Sequence, residues 1–334
     1  MTSDAQQSDP LDATDAGVWS SIRTLILFIV AVIVAVVVGI YGTVFALVMF
    51  TGFGPPNTPD PAAERSAEAR ELREAGRYEE AIGAYEEALA LGGDEAFAWM
   101  GIAECHQALG RKDEAYAAYD AALEDSLYWP AVDRLHCVAH FEGLDAAVAW
   151  FERDARLSRD TVRGNQILGT FLGAEGALDE AAIAHGDAYE IANREAGVRF
   201  DLNGALVNPD ALERVGNALV NDLHGAAEAL AKVRCAQGLD DEAFLWATRG
   251  VVLAGRVKRT LGYYGRRAQQ AGCADCRLVR ARVLVERREF GAARVELAFV
   301  DFLSNRTNYT GWARQARVVR ARIAELERSG DGPR

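Results

Sequence analysis

Gly76-Arg77-Tyr78-Glu79-Glu80-Ala81-Ile82-Gly83-Ala84-Tyr85-Glu86-Glu87-Ala88-Leu89 returns as Gly110-Arg111-Lys112-Asp113-Glu114-Ala115-Tyr116-Ala117-Ala118-Tyr119-Asp120-Ala121-Ala122-Leu123, each residue shifted by 34. Self-similarity at such a period is the mark of one supersecondary unit stacked on copies of itself. The apolar spacing within each copy is that of an amphipathic helix, and no helix of this kind hides its stripe alone, so the units must cover one another. Ala81, Ala88, Ala115 and Ala122 fall where two helices cross. Small residues there let the axes approach, and Tyr85 and Tyr119 fill the space alongside. Gly76 and Gly110 fall between paired helices, where the chain needs a residue that ends a helix in the left-handed region.

Ahead of the second copy lies Trp99-x2-Ile102-Ala103-x2-His106, followed by Ala115-x3-Tyr119-x2-Ala122. This resembles the tetratricopeptide repeat, whose pattern is W-x2-L-G-x2-Y and then A-x3-F. Four units resemble it over residues 62–195. The third keeps Ala147 and Phe151 at a shift of 32, a deletion of two, after a helix carrying Val132, Leu135 and Ala139; the fourth has Leu168-Gly169, Gly176, Ala181, His185 and Ala188. The likeness weakens over residues 196–311. Residues 196–223, with Asn208-Pro209-Asp210 as a helix start, read as an extra or degenerate helix pair. Gly238-Leu239-Asp240-Asp241-Glu242-Ala243 restores a unit, and Ala281, Leu284, Phe290, Ala293 and Leu297 suggest a last one. Residues 312–334 supply a capping helix and tail, covering the apolar face of the final unit.

The remaining amino-terminal stretch is of another kind. Residues 1–21 are acidic and poor in apolar residues, an expected disordered tail. Thr24 to Gly54 holds no charge. Its core Leu25–Phe50, as a helix of about 39 Å, exceeds the roughly 30 Å of bilayer hydrocarbon. We therefore expect one transmembrane helix over residues 22–52; the run is too long for a secretory signal peptide. A proline-rich spacer follows at 53–61, with Pro55, Pro56, Pro59 and Pro61. The side on which the repeats lie stays open: Arg23 at the membrane edge favours a cytoplasmic amino-terminal tail, and five cysteines without a disulfide pattern favour repeats in a reducing compartment. The resemblance implies a right-handed helical solenoid, so the expected fold class is all-α and tetratricopeptide-like, preceded by one transmembrane helix.

The net charge of −13 conceals an asymmetry: residues 52–255 carry 17 basic against 37 acidic groups, and residues 256–334 carry 18 against 8. These charges read as solvated faces complementary along the stack or between copies, or as an anion-docking surface. Arg266, Arg267, Arg277, Arg280, Arg282, Arg287 and Arg288 form the densest basic run, beside Tyr263 and Tyr264. A membrane anchor and a pI near 5.0 argue against nucleic acid. Three Lys beside 33 Arg fit a GC-rich, bacterial genome.

Motifs that carry chemistry are sparse. Cys273-Ala274-Asp275-Cys276 has metal or redox spacing, but no second Cys-x2-Cys or histidine pair completes a structural zinc site, and a redox motif wants a strand-to-helix setting. His136, Cys137 and His140 share a helix, with Cys105 and His106 one repeat earlier; packing histidines are the simpler account, a metal site the sharper one. His185 takes the aromatic slot of repeat four. No nucleophile motif, phosphate loop or H-E-x2-H is present. The chain reads as a non-enzyme with no cofactor and no resident metal.

The resemblance implies a groove of first helices that takes a protein or peptide partner. Its groove places fall on Arg70 and Arg73, on Met100, Glu104 and Gln107, on Asp133, Cys137 and His140, and on Arg163, Gln166 and Thr170. The expected role is a membrane-anchored scaffold for protein–protein interaction or complex assembly. Two alternatives stay open: a membrane-bound redox or metal accessory protein using Cys273 and Cys276, and a self-assembling, homo-oligomeric subunit.

Overall fold

The structure is a computed structural model and describes residues 60–255, 263–307 and 310–329, the side chains of 263–273 and 306–307 excepted. It divides into two units, Met1–Glu64 and Arg65–Arg334. The acidic tail, the charge-free stretch and nearly all of the proline-rich spacer lie outside the described residues. Among the described residues no helix is long and apolar enough to cross a membrane. Pro61, assigned to the spacer by composition, instead opens a helix, because its fixed φ suits a first helical turn and its missing N–H has no partner to lose there.

Fourteen helices are described: α1 (Pro61–Glu74), α2 (Tyr78–Ala90), α3 (Glu95–Ala108), α4 (Lys112–Asp125), α5 (Tyr128–Glu142), α6 (Leu144–Arg153), α7 (Val162–Ala174), α8 (Leu178–Ala196), α9 (Pro209–Arg214), α10 (Asn217–Ala236), α11 (Asp240–Ala254), α12 (Tyr263–Glu286), α13 (Phe290–Thr307) and α14 (Thr310–Arg328). Within Arg65–Arg334 the helices pack in pairs, α3 on α4, α5 on α6, α7 on α8, α10 on α11 and α12 on α13. First helices of successive pairs also touch: α3 on α5, α5 on α7, α7 on α10, α10 on α12. That second set of contacts puts the first helices side by side along one side of the stack.

The crossings are built as the alanine spacing requires. Ala81, Ala88, Ala115, Ala122, Ala147, Ala181, Ala188, Ala243, Ala247, Ala281 and Ala293 are all fully buried. Tyr85, Tyr119 and Phe151 are buried beside them. Gly76 and Gly110 have φ of +77° and +72°. At each, the residue after the glycine donates its N–H to a carbonyl five residues back (Arg77 to Leu72, Arg111 to His106), the hydrogen-bond pattern of a helix closed by a left-handed residue. Repeat three dispenses with this turn: Gly143 alone separates α5 from α6, where three residues separate α1 from α2. The two missing residues come out of the turn, so Ala147 and Phe151 still reach the core.

Residues 197–216 do not form a helix pair. Gly197 ends α8 in the left-handed region. The chain then makes a tight excursion with a Phe200–Leu206 antiparallel bridge. Asp201 Oδ1 accepts from the N–H groups of Asn203 and Ala205, and the Asn208 side chain accepts from Arg199 N–H and donates to the Gly197 carbonyl. These short polar side chains satisfy the backbone locally and so compete with helix formation. One six-residue helix, α9, begins at Pro209, and residues 217–223 belong to α10. α14 packs on α12 and α13 and buries Trp312, Ala316, Val319, Ile323 and Leu326.

Ion pairs take up part of the densest basic run. Arg277 and Arg280 converge on Glu296, at 2.7 and 2.9 Å, and Arg287 reaches Asp241 at 2.5 Å. The basic residues of this run whose pairs are described thus link successive helices to acidic partners, the internal complementarity of the two readings above.

Candidate partner-binding groove

Most of the residues that the resemblance assigns to the groove lie on the wall of first helices, in three kinds of environment. Arg70, His140 and Arg163 are exposed; Met100, Gln107, Asp133, Gln166 and Thr170 are half-buried. Cys137 is fully buried among Ala103, Ala118 and Tyr119, so it offers nothing to a partner. Arg73 and Glu104 form an ion pair across α1 and α3. Each is therefore the other's partner, because the 34-residue period places them on adjacent turns of neighbouring first helices.

Further along the wall the polar contacts run helix to helix. Tyr128 on α5 and Thr170 on α7 share a 2.9 Å hydroxyl hydrogen bond. Gln166 Nε2 donates to the Asp222 carbonyl of α10 at 3.4 Å, and His136 Nδ1 lies 2.6 Å from Glu175 Oε1. Burial pushes the carboxyl groups of Asp133 and Asp222 above the usual carboxylate range, with His136 and Arg163, respectively, pulling the other way. His136 is thus a half-buried packing histidine, edge-on to Phe171 at 5.1 Å and paired with Glu175.

Between α5, α7 and α10 the wall opens into a cavity of about 480 Å³. Its sides are Tyr128, Trp129, Leu178, Ala229 and Val233; its polar groups are Thr170, His185, Glu228 and Lys232. Gly169, Gly173 and Gly225 leave it open, since three first-helix positions here carry no side chain. Gly169 could not carry one: a Cβ would lie 2.7 Å from the His185 ring that fills the aromatic slot behind it. Burial lowers the His185 imidazole pKa to about 4, so it stays neutral at pH 7. Trp129, 60% exposed, stands edge-on to Tyr128 at the mouth of the cavity. A volume of this size with mostly apolar walls and a few polar groups suits one large side chain of a bound segment.

Of the residues predicted for the groove, this cavity brings in Thr170. Trp129, Glu228 and Lys232 were not anticipated. Repeat five lies 62 residues after repeat four, neither one period nor two, so no groove place transferred onto α10. A signal was available: Lys232 is one of three lysines among 36 basic residues, and Trp129 precedes a proline at a helix start, where an indole is not needed for packing.

The other anticipated sites fare differently. Cys273 and Cys276 lie three residues apart within one continuous helix, α12, and the Cys273 side chain is outside the described residues. Cys276 is buried against Gly250 of α11. Cys105, His106, His136, Cys137 and His140 do not converge on a metal-sized site among the described residues.

Residues 72–136 match the tetratricopeptide repeat family model. No curated protein matches the chain. Among solved structures the chain is similar to one in the Cut9–Hcn1 hetero-tetramer of the APC/C, at 14% identity over 79% of this chain and 43% of that one, with a TM-score of 0.38. It is also similar to the TPR2AB domain of yeast Sti1 in complex with pHSP90 (14% identity, 79% and 98% covered, TM-score 0.27) and to the assembly chaperone of RpL4, Acl4 (19%, 81% and 99%, TM-score 0.30). The chain thus spans less than half of the first of these. It carries tetratricopeptide repeats within an all-α helical solenoid.

Proposed function

We propose that this tetratricopeptide-repeat chain is a non-catalytic, membrane-anchored scaffold, held to the bilayer by residues 22–52, that captures an extended segment of a protein partner along its first helices. The observation that carries the reading is the cavity between α5, α7 and α10 with Trp129 at its mouth. An indole so exposed contributes little to the fold, whereas a large aromatic edge beside an apolar cavity is the type of residue that anchors interfaces. Arg70, Arg163, His140, Met100, Gln107 and Asp133 would contact the flanking parts of the segment, and the Arg73–Glu104 pair would fix the wall beneath it.

The test is proximity labelling in the native host, with the labelling enzyme fused after Arg334 in versions active on one side of the membrane only. One defined set of proteins, lost in Trp129→Ala and in the Arg70→Ala/Arg163→Ala double variant, is expected. Labelling of neighbouring copies alone would favour self-assembly, and an unchanged set in both variants would refute the groove. Alkaline carbonate extraction tests the anchor separately: the full chain should stay with the membrane and a deletion of residues 22–52 should be released.

A further inference from the structure

A second cluster shares one residue, Glu228, with that cavity. His224 and Glu228 sit one turn apart on α10, and Cys276 reaches them from α12. One ring nitrogen of His224, one carboxylate oxygen of Glu228 and Cys276 Sγ lie within 4.8 Å of one another. His224 is 8% exposed, and its Nε2 is buried with no hydrogen-bond partner. A buried nitrogen left without a partner is costly unless something binds it.

We propose that His224, Glu228 and Cys276 form a binding site for a divalent transition metal of borderline softness, of which zinc is the type. One nitrogen, one oxygen and one sulfur from two packed helices make three protein ligands, and a fourth position is left toward the cavity that Glu228 and Lys232 line. That cavity supplies the path from solvent.

Lys232 and Asp275 flank the cluster. Lys232 Nζ lies 2.5 Å from Glu228 Oε1 and 3.5 Å from Asp275 Oδ2. On binding M²⁺, Cys276 releases its proton to solvent, so the site gains one net positive charge beside Glu228 and Asp275, the two carboxylates that Lys232 also contacts. Lys232 takes one Glu228 oxygen, and His224 Nε2 has no hydrogen-bond partner.

The test uses the full-length chain purified in detergent under reducing, metal-free conditions and titrated with Co²⁺, then with Zn²⁺. One equivalent of cobalt with a thiolate-to-cobalt charge-transfer band, displaced by zinc, is expected. The band should vanish in Cys276→Ser, and stoichiometric uptake should be lost in His224→Gln and Glu228→Gln at unchanged helicity. No band in the wild type, or a band that survives Cys276→Ser, overturns the proposal. Zinc-edge X-ray absorption of the wild type checks it without any variant: one sulfur at about 2.3 Å with nitrogen and oxygen neighbours supports the site, and a shell with no sulfur or with several overturns it.

Discussion

Single side chains hold this stack at close tolerances, and two positions show it. A Cβ on Gly101 would lie 2.3 Å from the Tyr85 ring, which is itself fully buried and edge-on to Phe97. Gly101→Ala forces that ring out of its slot, and we expect a loss of roughly 1–3 kcal/mol in denaturant unfolding. A midpoint equal to the wild type's would mean that the crossing is looser than the structure shows. His185 occupies the place that Phe151 fills in repeat three, but with a titratable ring. Its folded pKa of about 4 lies below the unfolded value of 6.5, so the unfolded chain binds the extra proton. Stability from this residue is fully present above pH 6.5 and is lost as the pH falls toward 4, by up to about 1.4 kcal/mol per pH unit. Asp133, Asp222 and Asp275, with raised pKa values set by burial, act in the opposite sense. The difference between wild type and His185→Phe isolates the imidazole: between pH 7 and 5 the wild type should lose more stability than the variant, and parallel pH curves would remove the argument. The alanines and tyrosines of the crossings were legible in the sequence because a repeated residue at a fixed period has a repeated neighbour.

An isolated repeat helix is marginal, so the last element of the stack has a task the internal ones share. α14 closes the apolar face of α12 and α13 with Trp312, Val319, Ile323 and Leu326. At about 1.5–3 kcal/mol for each fully buried side chain, its loss exposes the apolar face of α12 and α13 that it covers. A chain truncated after Thr307 should show early exchange of the amide hydrogens of α12 and α13 and a tendency to aggregate, with α7 and α8 still protected. Protection in α12 and α13 equal to that in the full chain would show that α14 is dispensable. The existence of this cap could be inferred from the sequence, since any solenoid needs one. The hairpin at residues 197–208 could not be placed so easily. Its asparagines and aspartates are turn formers wherever they occur, and only the bonds they make to Arg199, Gly197, Asn203 and Ala205 distinguish a hairpin from the ends of a helix pair.

Over Arg65–Arg334 the buried residues fall into separate clusters: one in repeats one to three, one from Leu123 to Leu253, and two around α10 to α14. Units that touch chiefly their neighbours unfold by parts. Leu297→Ala, a truncation in the carboxy-terminal core, should cost about 2–5 kcal/mol there. Denaturant unfolding should then separate into two transitions, with Trp312 reporting the earlier; a single shifted transition would show that the clusters are coupled. Repeat period, alanine crossings, glycine turns and the need for a cap were all determined by the sequence, because each is a relation between residues within about one period of each other. The cavity between α5, α7 and α10, and the meeting of His224 and Glu228 with Cys276 nearly fifty residues later, were decided only by tertiary structure. The cavity joins elements on either side of the 197–216 excursion, which resets the register, and the cluster joins two helices beyond it, where the repeat pattern is too weak for spacing to predict contact.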